Sequence, residues 1–334
     1  MKSTLLRGIS LRLPLKVTFC MFLMGTLTGC LINLPNPVEC DYYNDVYNDS
    51  PSIETYSKAS WSCDEDLEIR TLTANGIPNH PTKTYYRNGS WADRAYEQKI
   101  RVHITTEPEL TKEVKPRGGV HGALGYALNG VKIDPGSGGT CPDKTDDCMF
   151  NTDKYKWNID TLGQTFFNYQ VDENNGHLQP DGAYHYHGLP HDHVKEIELR
   201  KQKILRTDMI LFGWALDGHA IYAEYGSKYD HTTRAGYRKM ESSYRLVETV
   251  SDDRPSLKVY PLGTFKEDWE YKKGSGDLDE CNGLRASTAY SKDMQYHYIA
   301  TEAYPYVPPC VKGYLDFPID LQPPSANREP PAHR

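Results

Sequence analysis

From Leu67 onward, apolar and polar positions alternate in short runs separated by glycine, asparagine, aspartate and proline. That period of two is the pattern of half-buried strands. Lys99-Ile100-Arg101-Val102-His103-Ile104 is the clearest single run. A period of 3.6 appears once, over Val194 to Arg206, where Val194, Ile197, Leu199, Ile204 and Leu205 predict one helix. Two runs turn on signals that favour hairpins. Gly125-Tyr126-Ala127-Leu128-Asn129-Gly130-Val131-Lys132-Ile133 and Gly213-Trp214-Ala215-Leu216-Asp217-Gly218-His219-Ala220-Ile221 both place Asn-Gly or Asp-Gly between apolar segments. Such dipeptides accept the positive φ that tight hairpin turns need. A third run, Tyr184-His185-Tyr186-His187, is bracketed by Pro180-Asp181-Gly182 and Gly188-Leu189-Pro190 and reads as a short strand between turns.

These runs repeat. Each hairpin is followed by an Asn-Gly that leads to Tyr-His-Tyr: Asn175-Gly176 to Tyr184-His185-Tyr186, then Asn282-Gly283 to Tyr296-His297-Tyr298. Four matches in one order predict two related halves. The expected fold is mainly β, a single globular body of two β-rich halves with little helix, spanning residues 66–320 with halves 66–200 and 201–320. The halves differ chemically. Leu284 stands where the first has His177, and Ile299 where it has His187. A site in the first half, with the second as scaffold, is the expectation.

The candidate chemistry is histidine. Five of the 12 histidines lie between His177 and His193. On a strand His185 and His187 share one face and Tyr184 and Tyr186 the other. Two imidazoles on one face chelate a metal, and the Pro180-Asp181-Gly182 turn can return His177 beside them. Three histidines with an open position suit zinc or copper, and their ring nitrogens must then converge within roughly 3–4 Å of one another. His191 and His193 read as surface histidines or adventitious ligands, and Asp217 as a turn former. Asp143, Asp146, Asp147 and Asp153 read as a solvated acidic loop, because their spacing is not that of a calcium loop. Serine-hydrolase elbows, His-Glu-x-x-His and phosphate loops do not occur in the sequence.

Tyr184-His185-Tyr186-His187 resembles the motif that names the YHYH-domain family. The resemblance extends to Asn75-Gly76-Ile77-Pro78-Asn79-His80, Ala127-Leu128-Asn129-Gly130, Trp214-Ala215-Leu216-Asp217-Gly218 and Leu278-Asp279-Glu280-Cys281-Asn282-Gly283, and covers roughly residues 70–315. His80, His177, His185 and His187 occupy positions that match the family pattern, which adds His80 as a fourth candidate ligand. His219 departs from that pattern. The resemblance implies no settled activity.

The N-terminus changes the picture of where the protein works. Lys2, Arg7, Arg12 and Lys16 precede an apolar run from Val17 to Leu27, the size of a signal-peptide core. It ends in Leu27-Thr28-Gly29-Cys30, which resembles the lipobox of bacterial lipoproteins and implies a lipid on Cys30. Residues 1–29 are then a lipoprotein signal peptide, 30–65 a tether and 321–334 a disordered tail. Leu31 after the cysteine favours the outer membrane in a Gram-negative cell. The remaining cysteines favour, by chain order, the disulfides Cys40–Cys63, Cys141–Cys148 and Cys281–Cys310. A formal net charge of −7 argues against a nucleic-acid partner. The 25 tyrosines read as a β-rich, partly exposed surface. The expected function is an envelope-anchored lipoprotein with a histidine-rich divalent-metal site, extending to a metalloenzyme of undefined substrate. The alternative is a non-catalytic glycan- or protein-binding module with structural histidines.

Overall fold

A computed structural model describes residues 40–87, 91–150, 152–201, 209–227, 237–289, 291 and 293–315. Cys30, the leader, the start of the tether and the 321–334 tail lie outside these residues. The described part is mainly β, within one compact unit.

An eight-stranded sheet forms its centre. From one edge to the other, its strands are Gly176–Leu178, Tyr184–Tyr186, Lys132–Ile133, Gly125–Ala127, Leu211–Ala215, Ala220–Ala223, Gln295–Ala300 and Gly283–Ala286. The order is a palindrome of the sequence repeat. The two hairpins sit back to back in the middle, pairing Gly213 with Ala127, Trp214 with Tyr126 and Ala215 with Gly125. Their approach leaves no room for a side chain at Gly125, where a Cβ would lie 2.1 Å from the Trp214 carbonyl oxygen. Each hairpin adds its Tyr-His-Tyr strand in parallel. Tyr186 pairs with Ile133 in the first half and Tyr298 with Ile221 in the second. Each Tyr-His-Tyr strand then pairs antiparallel with the strand after its Asn-Gly. His177 faces His185, and Leu284 faces His297.

The hydrogen bonds repeat as well. Asp172 Oδ1 accepts the Gly176 N–H at 3.2 Å, and Asp279 Oδ1 accepts the Gly283 N–H at 2.9 Å. Tyr184 donates its hydroxyl to Asp172 at 2.8 Å, and Tyr296 to Asp279 at 2.9 Å. Asn129 Nδ2 donates to the Tyr186 hydroxyl at 2.9 Å; in the second half Tyr298 donates to Asp217 at 2.6 Å.

A four-stranded antiparallel sheet (Tyr43–Asn48, Thr55–Asp64, Ile69–Ala74, Ile100–Thr105) shares the main core with the central sheet. Trp61 reaches across and donates to the Leu128 carbonyl at 2.9 Å. This sheet corrects the expectation of a tether to residue 65, because Tyr43–Asn48 and Thr55–Asp64 are two of its strands. Along Thr55–Asp64 the inward positions are Ser57, Ala59 and Trp61. Small and polar inward residues hid the alternation that burial imposes. The strand expected at 99–104 is Ile100–Thr105.

The helix runs from His191 to Lys201, three residues earlier than its apolar pattern suggested, and 202–208 fall outside the described residues. The early start puts His193 one turn before Ile197, on the buried face. His193 is therefore not the surface residue expected: it is fully buried and accepts the Asn129 N–H at 3.3 Å. His191 is exposed. The three disulfides are Cys40–Cys63, Cys141–Cys148 and Cys281–Cys310, with Cα atoms 5.0, 4.1 and 5.0 Å apart. The tyrosines divide: Tyr43, Tyr47, Tyr56, Tyr86, Tyr96 and Tyr314 are exposed, in line with the partly exposed surface expected, while others lie inside. Tyr126, Tyr184, Tyr186, Tyr222 and Tyr298 are among the largest fully buried side chains, and the hydroxyls of Tyr184, Tyr186 and Tyr298 find polar partners inside. Asp217 is a turn former and more: besides the His219 N–H it accepts Tyr298 and the Gly313 N–H, tying the second hairpin to the strand Cys310–Gly313.

Candidate metal centre

The site begins with a turn. Asn175 takes a φ of 56°, and Asp172 gathers the N–H groups of Asn174 and Gly176. A Cβ at Gly176 would stand 2.2 Å from the Tyr184 hydroxyl, so glycine lets Tyr184 fold under the turn. The chain then runs through His177, reverses at Gly182 with φ 79°, and returns through Tyr184–Tyr186. His187 is fixed one residue beyond, its N–H donated to the Asn175 carbonyl at 2.8 Å.

Alternation sends the two residue types to opposite faces. On one face Tyr186 links Asn129 to His80, whose Nε2 lies 2.7 Å from the Tyr186 hydroxyl. The His80 Nδ1 lies 2.9 Å from the Pro81 carbonyl. With Nδ1 donating there, Nε2 accepts the tyrosine proton and both ring nitrogens are satisfied. His80 is therefore not a fourth ligand. It lies behind the strand and holds the loop from Asn75 to Pro81 against it.

On the other face the three histidines converge. His187 Nε2 lies 3.0 Å from His177 Nε2 and 2.9 Å from His185 Nε2. One ligand atom from each falls within 4.8 Å of the others, and all three residues are buried. Burial pushes His177 down to about 4, against the opposing influence of the Tyr169 carbonyl and Asp134. Burial also holds His185 and His187 well below the ordinary histidine range, and the neighbouring rings of the trio add to that. The rings are thus neutral near pH 7, the form that binds a metal. His187 Nε2 has one proton or one lone pair to share between two neighbours. No distribution of protons among neutral rings satisfies all three nitrogens, whereas a single cation between them does. Nitrogen ligands about 2.0–2.1 Å from zinc in a tetrahedron lie about 3.3 Å apart, close to the two separations from His187 Nε2.

The trio opens on a cavity of about 530 Å³. Trp91 forms part of the wall, its ring 5.4 Å from that of His177. Asp134 lines it too, its Oδ1 accepting the N–H of Gly119 and Gly136 and its Oδ2 paired with Lys132 at 2.9 Å. Burial would raise the Asp134 carboxyl, but Lys132, His187 and those N–H groups hold it below the usual range. Lys266 and Asp160 also line the cavity. None of these four was singled out by sequence, because they come from separate loops and carry no shared spacing. Among the described residues the acidic loop forms no metal-ligand cluster; Asp143 instead accepts the Trp157 indole N–H at 3.1 Å. His219 stays apart from the trio, its Nδ1 3.0 Å from the Tyr296 carbonyl.

The fold built on Tyr-His-Tyr strands, with histidines on one face and a tyrosine network on the other, defines a class, and comparison agrees. The model of the family described as YHYH protein matches residues 101–313, and the chain belongs to that family. No curated protein and no solved structure matches it.

Proposed function

We propose that His177, His185 and His187 bind one divalent transition metal, zinc or copper, and that the protein is a metal-dependent member of its family, working as a lipid-anchored protein of the bacterial envelope. One observation carries the metal reading: three buried, neutral imidazoles meet nitrogen to nitrogen at the wall of a cavity. A structural site would surround its ion with four protein ligands; three ligands beside open space is the arrangement of catalytic metals. When bound, the metal supplies a Lewis acid to whatever enters the cavity. Tyr169 and Trp91 pack against His177 and keep its ring in place. Metal analysis of protein purified without an affinity tag tests the reading. The wild type should hold close to one equivalent of metal, and the double variant His185→Ala/His187→Ala almost none. Equal metal content in the two would end the metal reading and favour the binding module.

A further inference from the structure

The cavity also holds a lysine, Lys266, that forms no ion pair among the described residues. Lys266 opens the short 3-10 turn Lys266–Asp268, and both of its neighbours in sequence are tied down. Phe265 is buried and bridged to Ile159. Glu267 grips Asn158 through the backbone N–H and the side-chain amide, each at 2.7 Å. Asp268 is locked in a buried ion pair with Arg254. The backbone that carries Lys266 is therefore fixed, and its side chain lines the same cavity as the trio. Its Nζ donates to the Pro135 carbonyl, which leaves two N–H donors.

Burial disfavours the Lys266 ammonium, and three carboxylates oppose that, Asp160, Asp134 and Glu267. Glu267 is committed to Asn158. Asp134 is committed to Lys132 and to two backbone N–H groups. Asp160 is 4% exposed and accepts the Leu162 N–H at 3.0 Å, and burial shifts it toward its neutral form. Among the described residues, no carboxylate comes within ion-pair distance of the Lys266 ammonium; Lys266 is absent from the ion pairs that hold Lys132, Lys156, Lys239, Lys272 and Lys312. A half-buried cation without an ion-pair partner is costly to keep, so its natural partner is an anion arriving from solvent.

We propose that Lys266 is the anion-binding group of this site, and that the substrate presents a carboxylate or phosphate group, one oxygen at the metal and another at the Lys266 ammonium. This rests on the metal reading above and names the class of molecule that the site takes. Both groups would act on one ligand: the metal as a positive centre at the wall, Lys266 as a second donor that fixes the anion's orientation. Lys266 acts in binding and needs no proton transfer.

The test loads the full chain with one equivalent of cobalt(II) and follows the visible ligand-field bands during titration with acetate and, separately, inorganic phosphate. The wild type should show a saturable spectral change with at least one of the two, and which one binds more tightly tells carboxylate from phosphate. Lys266→Met should take up cobalt with the same spectrum yet bind the anion at least tenfold more weakly. Lys266→Arg, which keeps the charge, should stay within a few-fold of the wild type. Anion affinity unchanged in Lys266→Met, or no anion response in cobalt-loaded wild type, overturns the inference while leaving the metal site standing. If Lys266→Met fails to take up cobalt, the arginine variant decides: cobalt bound without an anion response again overturns it. A wild type that takes up no cobalt removes the metal reading itself, and this inference with it.

Discussion

At the scale of single residues, the second half shows the positions of the proposed ligands with apolar residues in them. Leu284 faces His297 where His177 faces His185, and Ile299 follows Tyr298 where His187 follows Tyr186. The same local backbone therefore accepts apolar residues at both places. His177→Leu/His187→Ile should fold and bind no metal. It should also change the response to acid. In the metal-free wild type the unfolded chain takes up protons on these rings below about pH 6.5. The folded chain resists, His177 until about 4. The unfolded state thus holds more protons between those values, and stability falls as pH falls through that window. At about 1.4 kcal/mol per pKa unit, His177 alone contributes about 3 kcal/mol to that loss. Thermal melts of chelator-treated protein from pH 7 to pH 4 should show a steep decline for the wild type and a flatter one for the double variant. Parallel profiles would mean that the buried imidazoles are not what the acid attacks.

At the scale of elements, each Tyr-His-Tyr strand is bonded to its own hairpin turn through the second tyrosine, but the two bonds differ in strength. Tyr186 sits in a network with a neutral amide and a neutral imidazole. Tyr298 donates to the Asp217 side chain at 2.6 Å and accepts the Lys312 N–H at 2.9 Å. A bond to a charged acceptor contributes more than a neutral one. Tyr186→Phe should cost about 1 kcal/mol and Tyr298→Phe about 2–3 kcal/mol in denaturant unfolding; a reversed order would contradict this account of the ties. Much of this architecture can be read from the sequence. Asn-Gly and Asp-Gly mark the two hairpins, and the recurrence of Tyr-His-Tyr after each gives the repeat and the unequal site. What could not be read arises where burial departs from residue type. His193 is hidden because the helix starts three residues before its first apolar position. Tyr184, Tyr186 and Tyr298 are inside because Asp172, Asn129 and Asp217 meet their hydroxyls there. Lys266 and Asp134 reach the cavity from loops about 130 residues apart in sequence, and no local period connects such positions.

At the scale of the whole molecule, the described part carries three disulfides, which suits an oxidising compartment outside the cytosol. Together with Leu27-Thr28-Gly29-Cys30 this supports the proposed lipid anchor. Mass spectrometry of the mature N-terminus should find Cys30 as the first residue, with lipid on its sulfur; an unlipidated first residue elsewhere would rule that anchor out. The placement of the ligands has a kinetic consequence. All three lie between His177 and His187, inside one hairpin and the residue after it. Closing so short a loop takes of order 10–100 ns and a hairpin about 1–10 μs. The sheet around it needs far slower events: Lys132–Ile133 must find Tyr184–Tyr186 across some fifty residues, and the hairpins must meet across more than eighty. Loop-closure entropy delays such pairings, parallel ones above all. The three ring nitrogens can therefore be assembled while most of the chain is still searching, so that a metal bound there as proposed would act as a nucleus around which the first half condenses, rather than as a late guest in a finished pocket.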